Sequence, residues 1–395
     1  MANSLVSIDM ITREALRIAH EKCQFIGTVD RQYDDSFAKS GAKIGTALRV
    51  RKPNQYVRTQ GSRVMDVQDQ AESSGSITVA TQDHVDMRFN SAELALTIDD
   101  ISKRYIEPAV AVLVSGIESD FLAYATKATY QVAGTAGTAI TSLATPGAAR
   151  AKINQQLAPK DNRYIQMDSV TMGGLVNGVA AYFNPSNDIS KQYREGLIAR
   201  TAMADYYENE RVFTQAIGSD VTGVTLNSFT LADGGSAITV TGGAATEVGQ
   251  VFTMAGVYDV HPETKAAYPH LKQFTLTSTS ATAWTFSPAI QSTGARKNVS
   301  ALPTTTAAIV FVGAASASYV QPLMYHKEAF QFVTADLPLM DDAHKCVRRV
   351  QDGLALRVWQ ASDIRNDELL MRIDILYGMA ALRPEWACRM IGAAN

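Results

Sequence analysis

The spacing of apolar residues near the N-terminus predicts a helix. Apolar side chains recur every three to four positions at Ile11, Ala15 and Ile18, which places them on one face of a helix over 9–25. Residues 27–45 follow no clear period and contain three glycines. We therefore expect an irregular arm after the first helix.

Three further helices are predicted from the same kind of spacing. A long helix is expected over 99–127, and Pro108 should bend or restart it, because proline lacks the N–H that a helix interior needs. A second helix should begin at Thr145-Pro146 and run to about residue 157. A third is expected over 174–183.

Alternating residues between the first two helices predict an extended hairpin over 46–92. Val85, Met87 and Phe89 alternate with polar residues, as a strand with one covered face should. The centre of the segment, 59–76, is polar and offers few side chains for a core. A hairpin this long is marginal alone. We expect another domain or another subunit to support it.

The charges of the predicted hairpin are separated along the chain. The basic residues come first, and acidic residues follow: Arg49, Arg51, Lys52, Arg58 and Arg63, then Asp66, Asp69 and Glu72. Two solvated strands with weak ion pairs would explain this pattern. Complementary docking onto neighbouring copies would also explain it. Direct contact with nucleic acid is a third interpretation, although no aromatic ladder accompanies the basic residues.

The composition changes at about residue 220. Only eight of the 96 residues over 221–316 are charged, and Thr, Ser, Ala and Gly dominate. Short β-type runs separated by turn residues occur at 221–226, 237–240, 251–254, 273–277, 283–286 and 307–312. This spacing is typical of a small β-sandwich or barrel. We interpret 220–316 as an all-β domain inserted into a loop of its host.

The last segment returns to two-residue alternation. The runs begin at Phe330, Val347, Leu354 and Met371. We predict that they are strands of one central sheet, which makes the fold class α+β.

Length and composition exclude several classes of protein. A chain of 395 residues is too long for one core, so we expect more than one packed unit. The net charge of −3 excludes a strongly basic nucleic-acid binder, and the 46% hydrophobic content excludes a charged disordered chain. Three distant cysteines favour a reducing compartment. No secretion signal or membrane span is expected.

Chemical signatures are scarce. The sequence lacks GxSxG, GxxxxGK[ST], HExxH and GxGxxG. Asp259, His261 and Glu263 are spaced for one strand face and could bind a metal, but Pro262 interrupts them. A polar loop between strands explains them better. We expect no catalytic residue, metal or cofactor.

Several motifs in the last quarter resemble a family of phage coat proteins. Gln360-Ala361-Ser362-Asp363-Ile364 is followed by a strand that ends in Tyr377-Gly378, and then by Leu382-Arg383-Pro384-Glu385. Further resemblances occur in the same order along the chain at 182–185, 193–196 and 249–257. The family is that of the major capsid proteins of short-tailed Salmonella-type phages, which carry an inserted β-domain.

The resemblance implies the Hong Kong 97-type capsid fold. Its parts would map as follows: an N-terminal arm over 1–45, an E-loop hairpin over 46–92, a peripheral domain with a spine helix over 93–145, an axial domain over 146–219, the insertion over 220–316, and the remaining axial domain with returning peripheral strands over 317–395.

The resemblance also implies a structural function. Copies of the chain would form pentamers and hexamers of an icosahedral shell around double-stranded DNA, which they would contact non-specifically. A scaffolding protein and a portal ring would be partners, and assembly would take place in the host cytoplasm. The eight charged hairpin residues from Arg49 to Glu72 are the candidate assembly residues.

Two rival functions stay open at this point. The chain could be a virion-attached or secreted binding protein whose 220–316 domain recognises a glycan or receptor, for which Trp284 and the Thr-rich strands give some support. Alternatively, Asp259, His261 and Glu263 could serve a metal-dependent hydrolase.

Overall fold

The computed structural model describes most of the chain. The residues that it does not describe are 1–7, 35–46, 62–66, 68–72, 91–104, 180–203, 228–231, 244, 340–344, 352, 364, 367 and 395. The chain divides into two compact units. Unit 1 comprises Met1–Val50, Gly75–Phe121 and Phe330–Leu382, and unit 2 comprises Arg51–Ser74, Leu122–Ala329 and Arg383–Asn395.

The helices lie close to their predicted positions. They are α1 (Ile8–Lys22), α2 (Phe25–Thr28), α3 (Glu107–Ala128), α4 (Ala144–Gln155) and α5 (Ser169–Val179). Residues 105–106 are π-helical and α3 begins at Glu107, which agrees with the predicted restart at Pro108, since a proline is tolerated in the first turn of an α-helix. The predicted helix over 174–183 begins five residues earlier, and its predicted end lies outside the described residues.

The strands of unit 1 form a six-stranded sheet and a separate pair. The strands are β1 (Asp30–Asp34), β2 (Ala47–Lys52), β3 (Ser73–Thr78), β4 (Thr81–Asn90), β17 (Phe330–Ala335), β18 (Lys345–Gln351), β19 (Leu354–Asp363) and β20 (Glu368–Ala381). The sheet order is β1-β17-β20-β19-β18, β4 pairs with β20, and β2 pairs with β3. The predicted central sheet is therefore confirmed.

Two predictions for the N-terminal third are wrong in part. Asp30–Asp34, which we expected to be irregular, pairs in parallel with β17 through its backbone, so its polar side chains gave no alternation to detect. The stretch 46–92 is not one hairpin, because β4 pairs along its whole length with β20. Phe89 is buried, Val85 and Met87 are half-buried, and the backbone of β4 is held by β20 of its own unit.

Aromatic rings build the core of unit 1. Phe121 on α3 packs against Phe25 at a centroid distance of 4.8 Å and against Phe332 on β17 at 5.6 Å. Phe332 in turn stacks on Tyr377 of β20 at 5.5 Å. One set of ring contacts thus joins α2, α3 and the central sheet.

A buried carboxylate caps α2 from α3. Glu118 is fully buried, and its Oε1 accepts hydrogen bonds from the backbone N–H groups of Gln24 (2.6 Å), Phe25 (2.8 Å) and Ile26 (3.3 Å). These are donors that the first turn of a helix leaves without intrahelical partners. A carboxylate there also interacts favourably with the helix dipole.

Unit 2 contains the inserted sheet. The strands β9 (Thr225–Leu226), β10 (Ala237–Thr241), β11 (Val251–Val260), β12 (Ala267–Thr279), β13 (Ala283–Ser287) and β14 (Ile309–Phe311) pair in the order β14-β11-β12-β13-β10-β9. Each predicted run of the inserted domain overlaps one of these strands. The domain limits themselves stay predictions.

The rest of unit 2 surrounds a second sheet. Its strands are β5 (Val132–Ala133), β6 (Arg163–Met167), β7 (Asp205–Glu208), β16 (Leu323–His326) and β21 (Ala387–Met390), paired in the order β5-β21-β16-β6-β7. A separate pair joins β8 (Thr214–Ala216) and β15 (Ser318–Val320). We call the elements of unit 2 outside the inserted sheet the host.

The helix α3 has the length and apolar composition of a membrane span. By the same criteria it also qualifies as a core helix, and 56% of its most apolar 18-residue window is buried in the protein. One such helix is weak evidence for a membrane span.

Replacing Glu118 by Ala should open the cap of α2. We expect amide hydrogen exchange at residues 24–26 to become roughly 30-fold faster, because two buried N–H groups and one part-buried N–H group lose their acceptor, a cost of about 2 kcal/mol. Glu118→Gln keeps an acceptor and should have a smaller effect. Unchanged exchange in Glu118→Ala would show that the cap contributes nothing.

Candidate assembly surfaces

The predicted assembly residues that the structure describes lie at the start of the hairpin. Arg49, Arg51 and Lys52 belong to β2, and Arg58 follows in an exposed stretch. The remaining four, Arg63, Asp66, Asp69 and Glu72, lie outside the described residues. Whether the basic and acidic halves dock on neighbouring copies stays a prediction.

The chain beyond β2 runs outside any helix or strand over residues 53–61, which we call the hairpin arm. All of its residues except the half-buried Asn54 are exposed. Tyr56 is 57% exposed and Val57 is 39% exposed. These two adjacent side chains are the exposed apolar surface of the hairpin arm.

The base of the hairpin is fixed in unit 1. Ile77 of β3 and Val79 are fully buried in a cluster with Val333 and Leu376 of the central sheet. Gly378 explains the Tyr-Gly motif, because a Cβ atom at this position would overlap the carbonyl oxygen of Thr78. Only glycine lets β20 approach the hairpin base this closely.

A cleft of about 490 Å³ lies within unit 2 beside the start of the hairpin arm. Lys52, Pro53, Asn54 and Gln55 form part of its wall. Six cationic side chains and one carboxylate are among the described residues that line it: Lys52, Lys265, Lys272, Arg296, Lys297, Arg383 and Glu385. Sequence reasoning missed this cleft, because its cations come from widely separated parts of the chain.

The residues proposed as a metal site make other bonds. Asp259 is buried and accepts from Lys272 Nζ at 2.8 Å and from Gln156 Nε2 at 3.1 Å. His261 Nδ1 accepts from the backbone N–H groups of Glu263 and Thr264, both at 3.1 Å. Among the described residues, no group of three or more His, Cys, Asp or Glu could hold a metal ion.

Trp284 does not provide a binding surface for a glycan. It is 1% exposed and packs in the core of the inserted sheet, with Phe252 at 6.3 Å and Phe311 at 5.6 Å. Gly243, which has a positive φ of 78°, passes so close to the indole ring that a Cβ atom there would overlap it. The sequence feature that supported a glycan-binding domain is thus part of a core.

Buried cations join the inserted sheet to its host. Arg389 of β21 is fully buried and donates to Thr129 O (2.7 Å), Gly249 O (2.7 Å), Gln321 Oε1 (3.0 Å) and Thr275 Oγ1 (3.0 Å). The acceptors are neutral, and burial lowers the pKa of the guanidinium.

A lysine reinforces this junction. Lys152 of α4 donates from Nζ to Val132 O and to Gln273 Oε1 of β12, both at 2.6 Å. Burial lowers the pKa of the Lys152 ammonium. Charge-assisted bonds from Lys152 and Arg389 therefore tie β12 to host strands and to a host helix.

The comparisons with known proteins agree with the resemblance in the sequence. Residues 208–392, just under half of the chain, match the model of the family described as P22 coat protein, gene protein 5. The matched stretch contains the inserted sheet and the three C-terminal motifs, whereas the motifs at 182–185 and 193–196 lie outside it. No curated protein matches the chain.

Several solved structures are similar to the chain. The capsid of Ralstonia phage GP4 has 8% identity and a TM-score of 0.48, with 93% of this chain and 87% of that chain covered. A chain of Mycobacterium phage Che8 has 9% identity and a TM-score of 0.46, with 93% and 90% covered. The CUS-3 coat protein I-domain has 28% identity and a TM-score of 0.20, with 22% and 93% covered.

The family match indicates the class of protein that part of this chain resembles, which is a phage coat protein. The coat proteins that it resembles in sequence are those of the P22 family, over 208–392. The Salmonella type stays a prediction.

Arg389→Lys should weaken the junction of inserted sheet and host. A lysine concentrates its three donors at one point and cannot reach the four acceptors that the planar guanidinium reaches. We expect the free energy of unfolding of the unassembled subunit in urea to fall by about 3 kcal/mol.

A half-exposed arginine provides the control. Arg348 forms an ion pair with Asp336 at 3.0 Å, and 28% of its side chain is exposed. Arg348→Lys should cost less than about 1 kcal/mol. Equal losses in the two variants would contradict a special role for the buried arginine.

Proposed function

We propose that copies of this chain close into pentamers and hexamers of a shell around double-stranded DNA, and that the hairpin arm of each copy covers a neighbour. The observation that carries the proposal is the exposure of Tyr56 and Val57 on a segment outside any helix or strand. Covering both side chains would contribute about 2 kcal/mol per copy.

The charges of the hairpin support docking between copies. Arg51 and Arg58 are exposed, and the acidic residues Asp66, Asp69 and Glu72 follow along the chain. A segment that carries basic and acidic groups in separate blocks can pair with the same segment, or with surfaces of either sign, on its neighbours. The net charge of −3 keeps repulsion between many packed copies low.

A fixed base makes the arm effective. The buried Ile77 and Val79 hold the returning strand of the hairpin against the central sheet. An anchored segment loses less conformational freedom on docking than a free one. Each subunit can then present its arm to neighbours in five-fold and six-fold rings.

The remaining partners follow from the proposed shell. A scaffolding protein would guide assembly in the host cytoplasm, and a portal ring would replace one pentamer. The packaged DNA would contact the inner face through non-specific phosphate interactions. We assign no enzymatic activity and no cofactor to the chain. The proposed role of its exposed hairpin arm is assembly.

The variant Tyr56→Ser/Val57→Ser tests the role of the arm. We expect a folded subunit, since exposed substitutions change stability by about 0.5 kcal/mol or less. The protein concentration at which closed shells appear should rise roughly 30-fold, which corresponds to the lost burial of about 2 kcal/mol. Sedimentation and electron microscopy measure both the subunits and the shells.

Two exposed valines elsewhere supply a matched control. Val170 is 81% exposed and Val310 is 60% exposed, so Val170→Ser/Val310→Ser removes comparable apolar surface. This variant should assemble like the wild type. If the arm variant also forms shells at the wild-type concentration, the arm does not cover a neighbour.

A further inference from the structure

Cationic side chains outnumber carboxylates among the described residues that line the cleft of unit 2. Lys272 is paired with buried Asp259 at 2.8 Å, and Arg383 lies over the ring of Trp386 at 4.1 Å. Glu385 is the one carboxylate among the described residues that line the cleft, and Lys52, Lys265, Arg296 and Lys297 share the same wall. The cleft is therefore a region of positive potential.

Two lysines of the cleft lie next to each other. Lys265 Nζ donates to the carbonyl oxygen of Lys297 at 3.4 Å, and both side chains are half-buried. Burial and then the charge of Lys297 lower the pKa of the Lys265 ammonium. An anion bound between these two lysines would relieve their repulsion.

The walls of the cleft fit a peptide better than a phosphate chain. Half-buried Asn54 lines the cleft, and its buried Oδ1 accepts no hydrogen bond within the described part of the chain. An extended peptide brings N–H donors, whereas a phosphodiester brings acceptors alone. Pro53, Pro384 and Trp386 add apolar walls of the kind that line peptide grooves.

We propose that this cleft receives the acidic segment Asp66–Glu72 of a neighbouring copy, an inference that rests on the proposed shell assembly. The segment DVQDQAE carries three carboxylates and no basic residue. Its charge is complementary to that of the cleft, and its alternating amides can bond along the wall. The site thus pairs the acidic segment of one subunit with the cationic cleft of another.

Geometry favours a neighbour as the donor of the segment. The arm begins in the wall of its own cleft at Lys52–Gln55, and the acidic segment starts 11 positions after Gln55. An extended chain of that length spans up to about 36 Å, enough to reach another subunit. Binding in its own cleft would require the arm to turn back on its starting point.

Charge reversal in the full-length chain tests the inference. The cleft variant is K265E/K297E, and the segment variant is D66K/D69K. Each alone should lower the yield of closed shells about tenfold, because like charges then face each other. The combined variant with all four changes should recover most of the wild-type yield. Failure of the combined variant to recover it would overturn the proposal.

Mixing the two single variants identifies the donor. With docking between copies, the acidic segment of the cleft variant can enter the basic cleft of the segment variant, and the reverse pair is also complementary. The mixture should then give a higher yield of closed shells than either variant alone. A combined variant that assembles, together with a mixture that does not, would assign the segment to its own cleft and contradict the proposal.

Controls separate this inference from the wider proposal. K160E/K327E introduces the same change of charge at two exposed lysines outside the cleft and should assemble normally. Circular dichroism checks that every variant folds. Wild-type protein that forms no shells would contradict the proposed function and this inference together. Wild-type shells with undiminished K265E/K297E shells would overturn this inference alone.

Nucleic acid is the alternative occupant. If K265E/K297E keeps its shell yield but its shells retain less nucleic acid than wild-type shells do, the cleft binds phosphates and the proposal is wrong. A loss of shells in nuclease-treated, nucleic-acid-free reactions would support docking of the acidic segment.

Discussion

Apolar surface on an extended segment gains free energy when a partner buries it, and this interaction is central to the hairpin arm. The arm exposes Tyr56 and Val57 and contains no helix or strand that could pack onto them. Its base is held by buried Ile77 and Val79 and by the close approach that Gly378 permits. A fixed base with an exposed arm supports the proposal that neighbouring subunits cover the arm.

The inserted sheet follows a different principle. Its own core is aromatic, with rings of Phe252, Phe274 and Phe286 packed 5.2–5.9 Å apart. Its junction with the host is instead made by buried Arg389 and half-buried Lys152, which donate to backbone and amide oxygens. Hydrogen bonds are directional, so this junction fixes how the inserted sheet sits on its host more strictly than apolar contact would. Arg389 lies on host strand β21 and donates to Gly249 and Thr275 of the inserted part. It also donates to Thr129 and Gln321 of the host, so one side chain connects the inserted sheet with three host segments.

Much of the fold could be predicted from the sequence because its strands are patterned. The runs at Phe330 and Met371 and the strands of the inserted sheet alternate visibly, and the structure confirms them. Asp30–Asp34 could not be found this way, since a polar strand is held by backbone bonds to β17 and leaves no apolar period. The pairing of β4 with β20 could not be predicted either, because the alternation of side chains in a strand does not identify the strand to which its backbone bonds.

The candidate surfaces were less predictable, because most of their side chains are distant from one another in the sequence. The separated charges of the hairpin could be seen because they are neighbours in sequence. The cleft could not, because Lys52, Lys265 and Arg383 meet only after folding. The residue types of Trp284 and Asp259 suggested a functional role. In the structure, Trp284 packs in a cluster of aromatic rings and Asp259 accepts a hydrogen bond from Lys272.

The position of the hairpin arm in an assembled particle tests the central claim most directly. An electron cryomicroscopy map of shells formed by the purified protein would show residues 53–61 of every copy. The account predicts that Tyr56 and Val57 lie buried against a neighbouring subunit. Arms that fold back onto their own subunit, or that stay exposed in closed shells, would contradict it.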